Sequence, residues 1–374
     1  MNMPRIAIAC SGLGHVHRGN ETWAQTVAEG LHRKGMPVTL LGGGKLESAC
    51  PYVHIPNWRR DHPLMRRWVY WGRRYLIEQC TFEIVLARWL KTHPYDVVHM
   101  ADPALAWRTH RRLRGTKTRV IYQDGLLLST PWCSKFEWVQ VLAPHYREVA
   151  AAAGVPTQRW FVIPQLVEPR NFAVPTCRDD IRAEVLGERL PPTSLAVIAV
   201  GDMSPEAQKR LDWLVAEVQK IPSDHEVHLM VIGNAHGAGA TTFIDESRRK
   251  LGARFHPFTN VPAAEMPRYY QTADVFAHAA LREPFGIVFV EAMACGLPAV
   301  GHTFPVTQWI IGEGGAIVDM TRPGALSELL VHWHEHPEQR RQLGLKARGR
   351  VEQVFALDRV IPLYQSMYEA VVEG

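Results

Sequence analysis

The chain has 374 residues, 47% hydrophobic and 21% charged, with a formal net charge of +5. That length and composition describe a soluble globular chain able to bury two sizeable cores, as a prior two domains of about 150 to 200 residues. The charge is divided unevenly: residues 1–170 carry 23 Lys/Arg against 12 Asp/Glu and the remainder 19 against 25, so the first domain is expected to meet an anion or an anionic surface.

The six cysteines, at positions 10, 50, 80, 133, 177 and 295, are scattered with no C-x-x-C pair, which argues against a zinc ribbon or disulfide framework and fits a reducing cytoplasm. The N-terminus MNMPRIAIACSG lacks the basic leader and long apolar run of a signal peptide. The longest uncharged stretch, Ala292 to Gly312, is broken by Gly296, Pro298, Gly301 and Pro305, and reads as helix, turn, strand and loop rather than a span.

In chain order, apolar β-branched runs alternate with helix-length amphipathic segments. Strands are predicted at Arg5–Cys10, Pro37–Leu41, Asp96–Met100, Arg119–Gln123, Trp138–Leu142 and Arg159–Ile163. The series then restarts at Leu195–Val200, Val227–Ile232, Arg254–Phe258, Asp274–Ala277, Ala299–His302 and Ala316–Asp319. A restarted α/β series predicts two Rossmann-like domains, here 1–168 and 169–356, divided in the proline-rich stretch Pro164–Pro175. Leu357–Glu373 reads as a final helix.

The first strand runs into SGLGHVHRGNETWAQ, where Gly12 and Gly14 begin a G-x-G but His17 occupies the third glycine position of a dinucleotide fingerprint. A helix is expected from Glu21 to about Lys34, with Asn20 as N-cap, Gly35 as stop and a buried stripe of Trp23, Val27, Ala28 and Leu31. Such a loop feeding a helix N-terminus suits a phosphate, or is a plain strand-to-helix turn.

Further on, NWRRDHPLMRRWVYWGRRYLIEQCTFEIVLARWLK placed on one helix puts Arg66, Arg67, Arg73 and Arg74 on one side and Trp68, Trp71 and Tyr75 roughly opposite. Residues 58–91 are therefore a candidate for peripheral contact with an anionic membrane, unless the aromatic side is core and the arginines are solvated or face an anionic acceptor. The second domain opens with LAVIAV and then GDMSPEAQKRLDWLV, which places Lys209 and Arg210 near a helix start. Cations gain nothing from the helix dipole there, so an anion beside them is one reading and a solvated pair the other.

Residues 281 to 300, LREPFGIVFVEAMACGLPAV, set Glu283 and Glu291 eight positions apart around a Pro-Phe-Gly turn. A helix is expected from Ile287 to Cys295, entered at Gly286, which lets backbone N–H groups approach a ligand closely. Carboxylates accept paired hydrogen bonds from vicinal diols, so a ribose and a hexose are natural partners for the two glutamates.

This E-x7-E stretch closely resembles that of the retaining glycosyltransferases of the large family 4, group 1, which have the GT-B fold. RGNETWAQTVAEGLHRKGMPVTLL, YDVVHMADP and VGDMSPEAQKRLDWLV are similar to further segments of that family. The resemblance implies two Rossmann-like domains facing each other across a cleft, with the final helix crossing back onto the first. It implies a nucleotide-diphosphate sugar as donor, with Glu283 on the sugar, Glu291 on the ribose, and the amides of Phe285, Gly286 and Ile287 against sugar and phosphates. Lys209, in the loop that begins at Gly201, would neutralise the leaving diphosphate, with Arg210 in support. Gly19 and Asn20 would face the diphosphate from the first domain.

Three departures accompany the likeness. Asp202 replaces the usual arginine after the strand glycine, Asp124 stands where the family has a catalytic histidine, and Gln165-Leu166-Val167-Glu168 replaces N-G-V-D. Transfer in such enzymes needs no metal or other cofactor, because positioned cations and helix N-termini stabilise the departing diphosphate, and no D-x-D in strand context is present. His99, His278 and His302 read as structural or peripheral. The expectation is a cytoplasmic hexosyltransferase, peripheral at the inner membrane face if residues 58–91 make that contact, that binds no nucleic acid. Its acceptor would be a glycan, a lipid-linked molecule or an anionic small molecule. The alternatives are another GT-B enzyme (an epimerase or phosphorylase) and a non-catalytic nucleotide-sugar binder.

Overall fold

The computed structural model describes residues 3–16, 18–126, 129–204, 208–235 and 238–374. His17, at the failed fingerprint position, and residues 205–207 of the second glycine loop lie outside that set. The chain forms two compact units: Met1–Gln165 with Leu357–Gly374, and Leu166–Ala356. The division falls inside the proline-rich stretch, just ahead of the expected 168/169.

The first unit is built on a seven-stranded sheet: β1 (Ile6–Cys10), β2 (Val38–Gly42), β3 (Tyr52–His54), β4 (Val97–Met100), β5 (Arg119–Asp124), β6 (Trp138–Val141) and β7 (Trp160–Val162). Its order is β3-β2-β1-β4-β5-β6-β7, parallel throughout, with Ile6 opposite both Val38 and Val97. The second unit carries β8 (Leu195–Val200), β9 (Val227–Gly233), β10 (Phe255–Thr259), β11 (Val275–Ala277), β12 (Ala299–His302) and β13 (Gly315–Val318), in the order β10-β9-β8-β11-β12-β13. All twelve expected strands are present. The added one, β3, is a three-residue edge strand between Pro51 and Pro56, too short to show a period.

Sheets covered by helices on both faces need strands apolar on both sides. Accordingly every residue of β1 is buried, as are the first five of β8. In both sheets the strand order reverses beside the first strand, between β1 and β4 and between β8 and β11. Loops leaving the carboxyl ends of such a pair form the crevice where open α/β sheets bind ligands.

Helix α1 (Gly19–Arg33) begins one residue before Asn20. Arg18 holds the N-cap position without a side-chain bond, so Asn20 is not the cap. The expected stripe of Trp23, Val27, Ala28 and Leu31 is buried. Segment 58–91 is not one helix. It divides into α2 (Pro63–Trp68) and α3 (Trp71–Thr92), because Val69 and Tyr70 are extended and Arg74 pins the break by donating to the carbonyls of Val69 at 2.6 Å and Arg66 at 2.7 Å. Trp68 consequently lies 76% exposed beside Arg67, not opposite it. Tyr75 turns inward to Asp102, and the Trp71 side chain is outside the described set.

The final helix, Leu357–Glu373, belongs to the first unit. Its Tyr364 hydroxyl accepts from Trp23 Nε1 at 2.8 Å and Gln140 Nε2 at 2.9 Å, and Tyr368 meets His99 Nδ1 at 2.9 Å. These groups are buried, so each lost partner leaves a desolvated donor. Tyr364→Phe should therefore lower the stability of the first unit by about 1–3 kcal/mol, read as an earlier urea midpoint in Trp fluorescence. An unchanged midpoint would mean that the network contributes nothing net.

Candidate active site

At the end of β8, Gly201 makes room for a lysine. A Cβ at that position would lie 2.8 Å from Lys209 Cβ and 2.9 Å from its Cγ, closer than carbon atoms pack. The ammonium of Lys209 reaches Oε2 of Glu283 in an ion pair. Glu283 arrives from the loop after β11, and its residue is only 6% exposed. His278, on the same loop, sets Nε2 3.3 Å from the same carboxylate oxygen. Its Nδ1 accepts the N–H of Ala280 at 3.3 Å, which leaves the neutral ring's proton on Nε2.

Burial by itself raises the Glu283 carboxyl, but His278 and Lys209 outweigh it and hold the group down to about 2. Burial also pushes His278 below the usual imidazole range, despite Glu283. The histidine thus lies beside Glu283 as a neutral ring, its Nε2 close to the carboxylate but outside hydrogen-bond geometry.

Gly286 turns the chain from this loop into the helix Ile287–Ala294 with φ of +76°. A Cβ there would also meet Glu283 Cγ at 2.7 Å and Phe289 Cδ2 at 2.8 Å, so both the backbone angle and the space require glycine. The first amides of that helix have no intrahelical partners and carry its positive dipole end. The Phe285 ring is buried against Trp309 and Phe355, so only its backbone is available to a ligand. One turn in, half-buried Glu291 accepts from the Tyr270 hydroxyl at 2.8 Å. Burial raises its carboxyl and this bond opposes the rise.

Arg210 is not beside Lys209's carboxylate. It has φ of 51° and donates to the carbonyls of Met320 at 2.9 Å and Ala279 at 3.4 Å, with Trp213 under its guanidinium. It ties two strand-end loops together through one guanidinium nitrogen. Asp202 is exposed. His302 Nδ1 accepts the Met320 N–H at 3.1 Å and His99 is buried on Tyr368, so both are structural. His278 is the exception: sequence reasoning set it aside, and the only signal was its place at the end of β11, five residues ahead of Glu283.

In the first unit, Asp124 ends β5 almost buried, with the Tyr122 hydroxyl and Cys133 thiol each 3.5 Å away and the Leu126 N–H at 3.4 Å. A Cβ on Gly125 would lie 3.2 Å from Asn20 Oδ1, so the fold brings Asn20 beside the end of β5. Gly19 is exposed with open space above it. The carboxyl ends of β1 and β4 hold a cluster that went unread in the sequence. Asp102 accepts from Ser11 N–H, Ser11 Oγ and Tyr75 at 2.6–2.7 Å. Glu78 is paired with His15 at 3.0 Å and with Arg60, whose guanidinium also reaches Glu21 at 3.4 Å. Burial, then Asp102, pushes Glu21 up to about 7.

Residues 184–350 match the family described as Glycosyl transferases group 1, and residues 17–124 match Glycosyltransferase Family 4. The chain belongs to the group 1 glycosyltransferases of family 4. Among curated relatives is a D-inositol 3-phosphate glycosyltransferase of Xylanimonas cellulosilytica, 29% identical over 47% of this chain and 43% of that protein. The chain thus spans less than half of that relative's length. Among solved structures, a sucrose-phosphate synthase from Thermosynechococcus elongatus superposes with a TM-score of 0.82 at 19% identity, over 99% of both chains. Anabaena HepE in complex with UDP and glucose does so at 0.75 and 15%, over 99% of this chain and 100% of that one. The fold of both units is GT-B.

Because the Glu283 carboxyl sits below its unfolded value of about 4.3, it contributes stability above that pH, which is lost as pH falls toward 2. Glu283→Gln should lose stability at neutral pH, on the order of 3 kcal/mol, and should fall less steeply than wild type below about pH 4.5. Parallel thermal-melt profiles for the two proteins would show that the carboxylate is not held in this way.

Proposed function

We propose that the protein is a retaining hexosyltransferase that uses a nucleotide-diphosphate sugar and no metal. The single observation that supports this most is the Lys209–Glu283 pair at the β8/β11 reversal, set against the glycine-opened mouth of the helix that carries Glu291. In this reading Glu291 grips the ribose hydroxyls, and Glu283 accepts from hydroxyls of the sugar. The amides of Gly286 and Ile287 lie along the phosphates.

The bond from C1 to the diphosphate oxygen breaks with its electron pair on that oxygen. Lys209 and the helix N-terminus neutralise the charge that develops. The acceptor hydroxyl attacks C1 from the leaving group's face, and its proton passes to the departing diphosphate, so no protein base is assigned to that step. In the first unit, the residues this reading assigns are Asp124, in the place of the family's histidine, and Gly19 and Asn20, for the diphosphate. HepE was solved with UDP and glucose, which supports this donor class. A non-catalytic binder is the second reading, favoured by Asp202, an exposed acid next to Gly201 in the loop where a phosphate would lie.

The acceptor is proposed to be a glycan, a lipid-linked molecule or a small anion, reached from the cytoplasmic face of a membrane. Around α2 and α3, Trp58, Leu64, Trp68, Tyr70 and Leu76 are each more than half exposed, beside exposed Arg66, Arg67 and Arg73. Arginines interleaved with aromatic side chains suit an anionic interface. Among the described residues, no helix is long and apolar enough to cross a membrane.

Calorimetric titration with UDP, GDP, ADP and TDP should give micromolar binding for one nucleotide, lost in Glu291→Ala. The matching nucleotide sugar should then be consumed equally well in EDTA. Binding without turnover would favour the second reading, and a requirement for added divalent cation would remove the metal-free mechanism.

The membrane proposal is tested separately. Co-sedimentation with vesicles of anionic phospholipid should exceed that with neutral vesicles and fall several-fold in Trp68→Ser/Tyr70→Ser. Equal pelleting with both vesicle types would dismiss it.

A further inference from the structure

Glu283 has two nitrogen-bearing neighbours of different character. Lys209 reaches it on a long stem, with a third of its side chain exposed (32%). His278 is 2% exposed. Its ring packs against Phe276 and Phe289, centroids 6.3 and 5.0 Å away, and its Nδ1 is tied to the Ala280 amide. One neighbour can leave and the other cannot.

A diphosphate carries more negative charge than a carboxylate, so a lysine shared between them moves toward the phosphates. Glu283 would then remain in a nearly buried site with its main cation drawn off. Desolvation favours the protonated acid, and a protonated acid donates from one oxygen instead of accepting at both. A sugar hydroxyl directed at that oxygen would lose its acceptor.

We propose that His278 is a positioning residue: it keeps Glu283 ionised and oriented when an arriving nucleoside diphosphate draws Lys209 away. Its Nε2 has no hydrogen-bond partner of good geometry, and the 3.3 Å separation from Glu283 is the kind of loose contact that tightens when a site fills. The titratable groups acting on Glu283 are His278 and Lys209. At the entrance of the following helix it lies beside Gly286, which does not titrate, and Arg210 is engaged on the Ala279 and Met320 carbonyls.

The exchange of Lys209 rests on the donor reading above; the hold of His278 on Glu283 does not. The test separates them. In the full-length protein, Lys209→Met removes the lysine without any nucleotide, and the Glu283 carboxyl is followed by carbon-13 NMR, assigned by its loss in Glu283→Gln.

With His278 present, the carboxyl should still titrate below the ordinary glutamate value of about 4.3. In Lys209→Met/His278→Leu it should move above that value, by at least one pH unit from the single variant. Lys209→Met/His278→Asn, which restores an N–H donor, should bring it back down. Near-UV circular dichroism confirms that each variant is folded. A Lys209→Met carboxyl already above 4.3, or identical titrations with and without His278, would overturn the role of the histidine.

In a second arm, saturating UDP or GDP should raise the Glu283 titration in His278→Leu and leave wild type unchanged. If a nucleotide binds and the variant does not respond, Lys209 is not drawn away. If neither binds, the exchange falls with the donor reading, and the Lys209→Met comparison still decides the role of His278.

Discussion

Removing a carboxylate from water costs several kcal/mol unless donors replace the lost hydration, and Glu283 meets that constraint with one charged and one neutral partner. The local chain follows from it. Gly201 leaves room for the lysine stem, and Gly286 clears the space beside the glutamate that a Cβ would fill. Arg210, which looks like a second cation for the same ligand, instead ties the loops after β11 and β13 to the start of the helix Leu211–Lys220. The described site therefore pairs one partly exposed cation with a buried carboxylate.

The first unit handles buried charge differently. Asp102, Glu78 and Glu21 gather at the ends of β1 and β4, with Arg60 as the cationic partner and His15 against Glu78. Asp102 is saturated by neutral hydroxyl and amide donors, Glu78 carries the ion pair, and Glu21 is left poised near neutrality. The cluster fixes the glycine loop against α3 through side chains more than sixty residues away, and so sets the shape of the strand-end surface beside Asp124 and Asn20. Both units put their unusual electrostatics where the strand order reverses, because that is where two parallel strand ends diverge and leave room.

Much of the fold could be read from period alone. Parallel strands buried on both faces are continuous apolar runs, and twelve such runs separated by helix-length segments leave little choice but two wound sheets. The errors were local. Asn20 looked like a cap, yet the helix started earlier. The 58–91 segment looked like one amphipathic helix because Val69 and Tyr70 do not interrupt its pattern. Arg74 bonding back to two carbonyls is a geometric fact with no sequence signature. β3 lacks the length to show alternation.

The two glutamates, the glycine at the helix mouth and the lysine after β8 were marked by spacing and residue type, since close backbone approach and charge at a helix entrance each restrict what can stand there. Which donors Glu283 receives was a matter for the tertiary structure. A histidine at a strand end and an arginine next to a lysine are chemically equivalent candidates in one dimension. Burial, ring packing and a single amide bond distinguish the fixed donor, His278, from the structural tie, Arg210. Sequence restricts the chemistry available at each position, but only the packed chain decides which groups lie within reach of one another, because those distances depend on strand order and loop closure over some seventy residues.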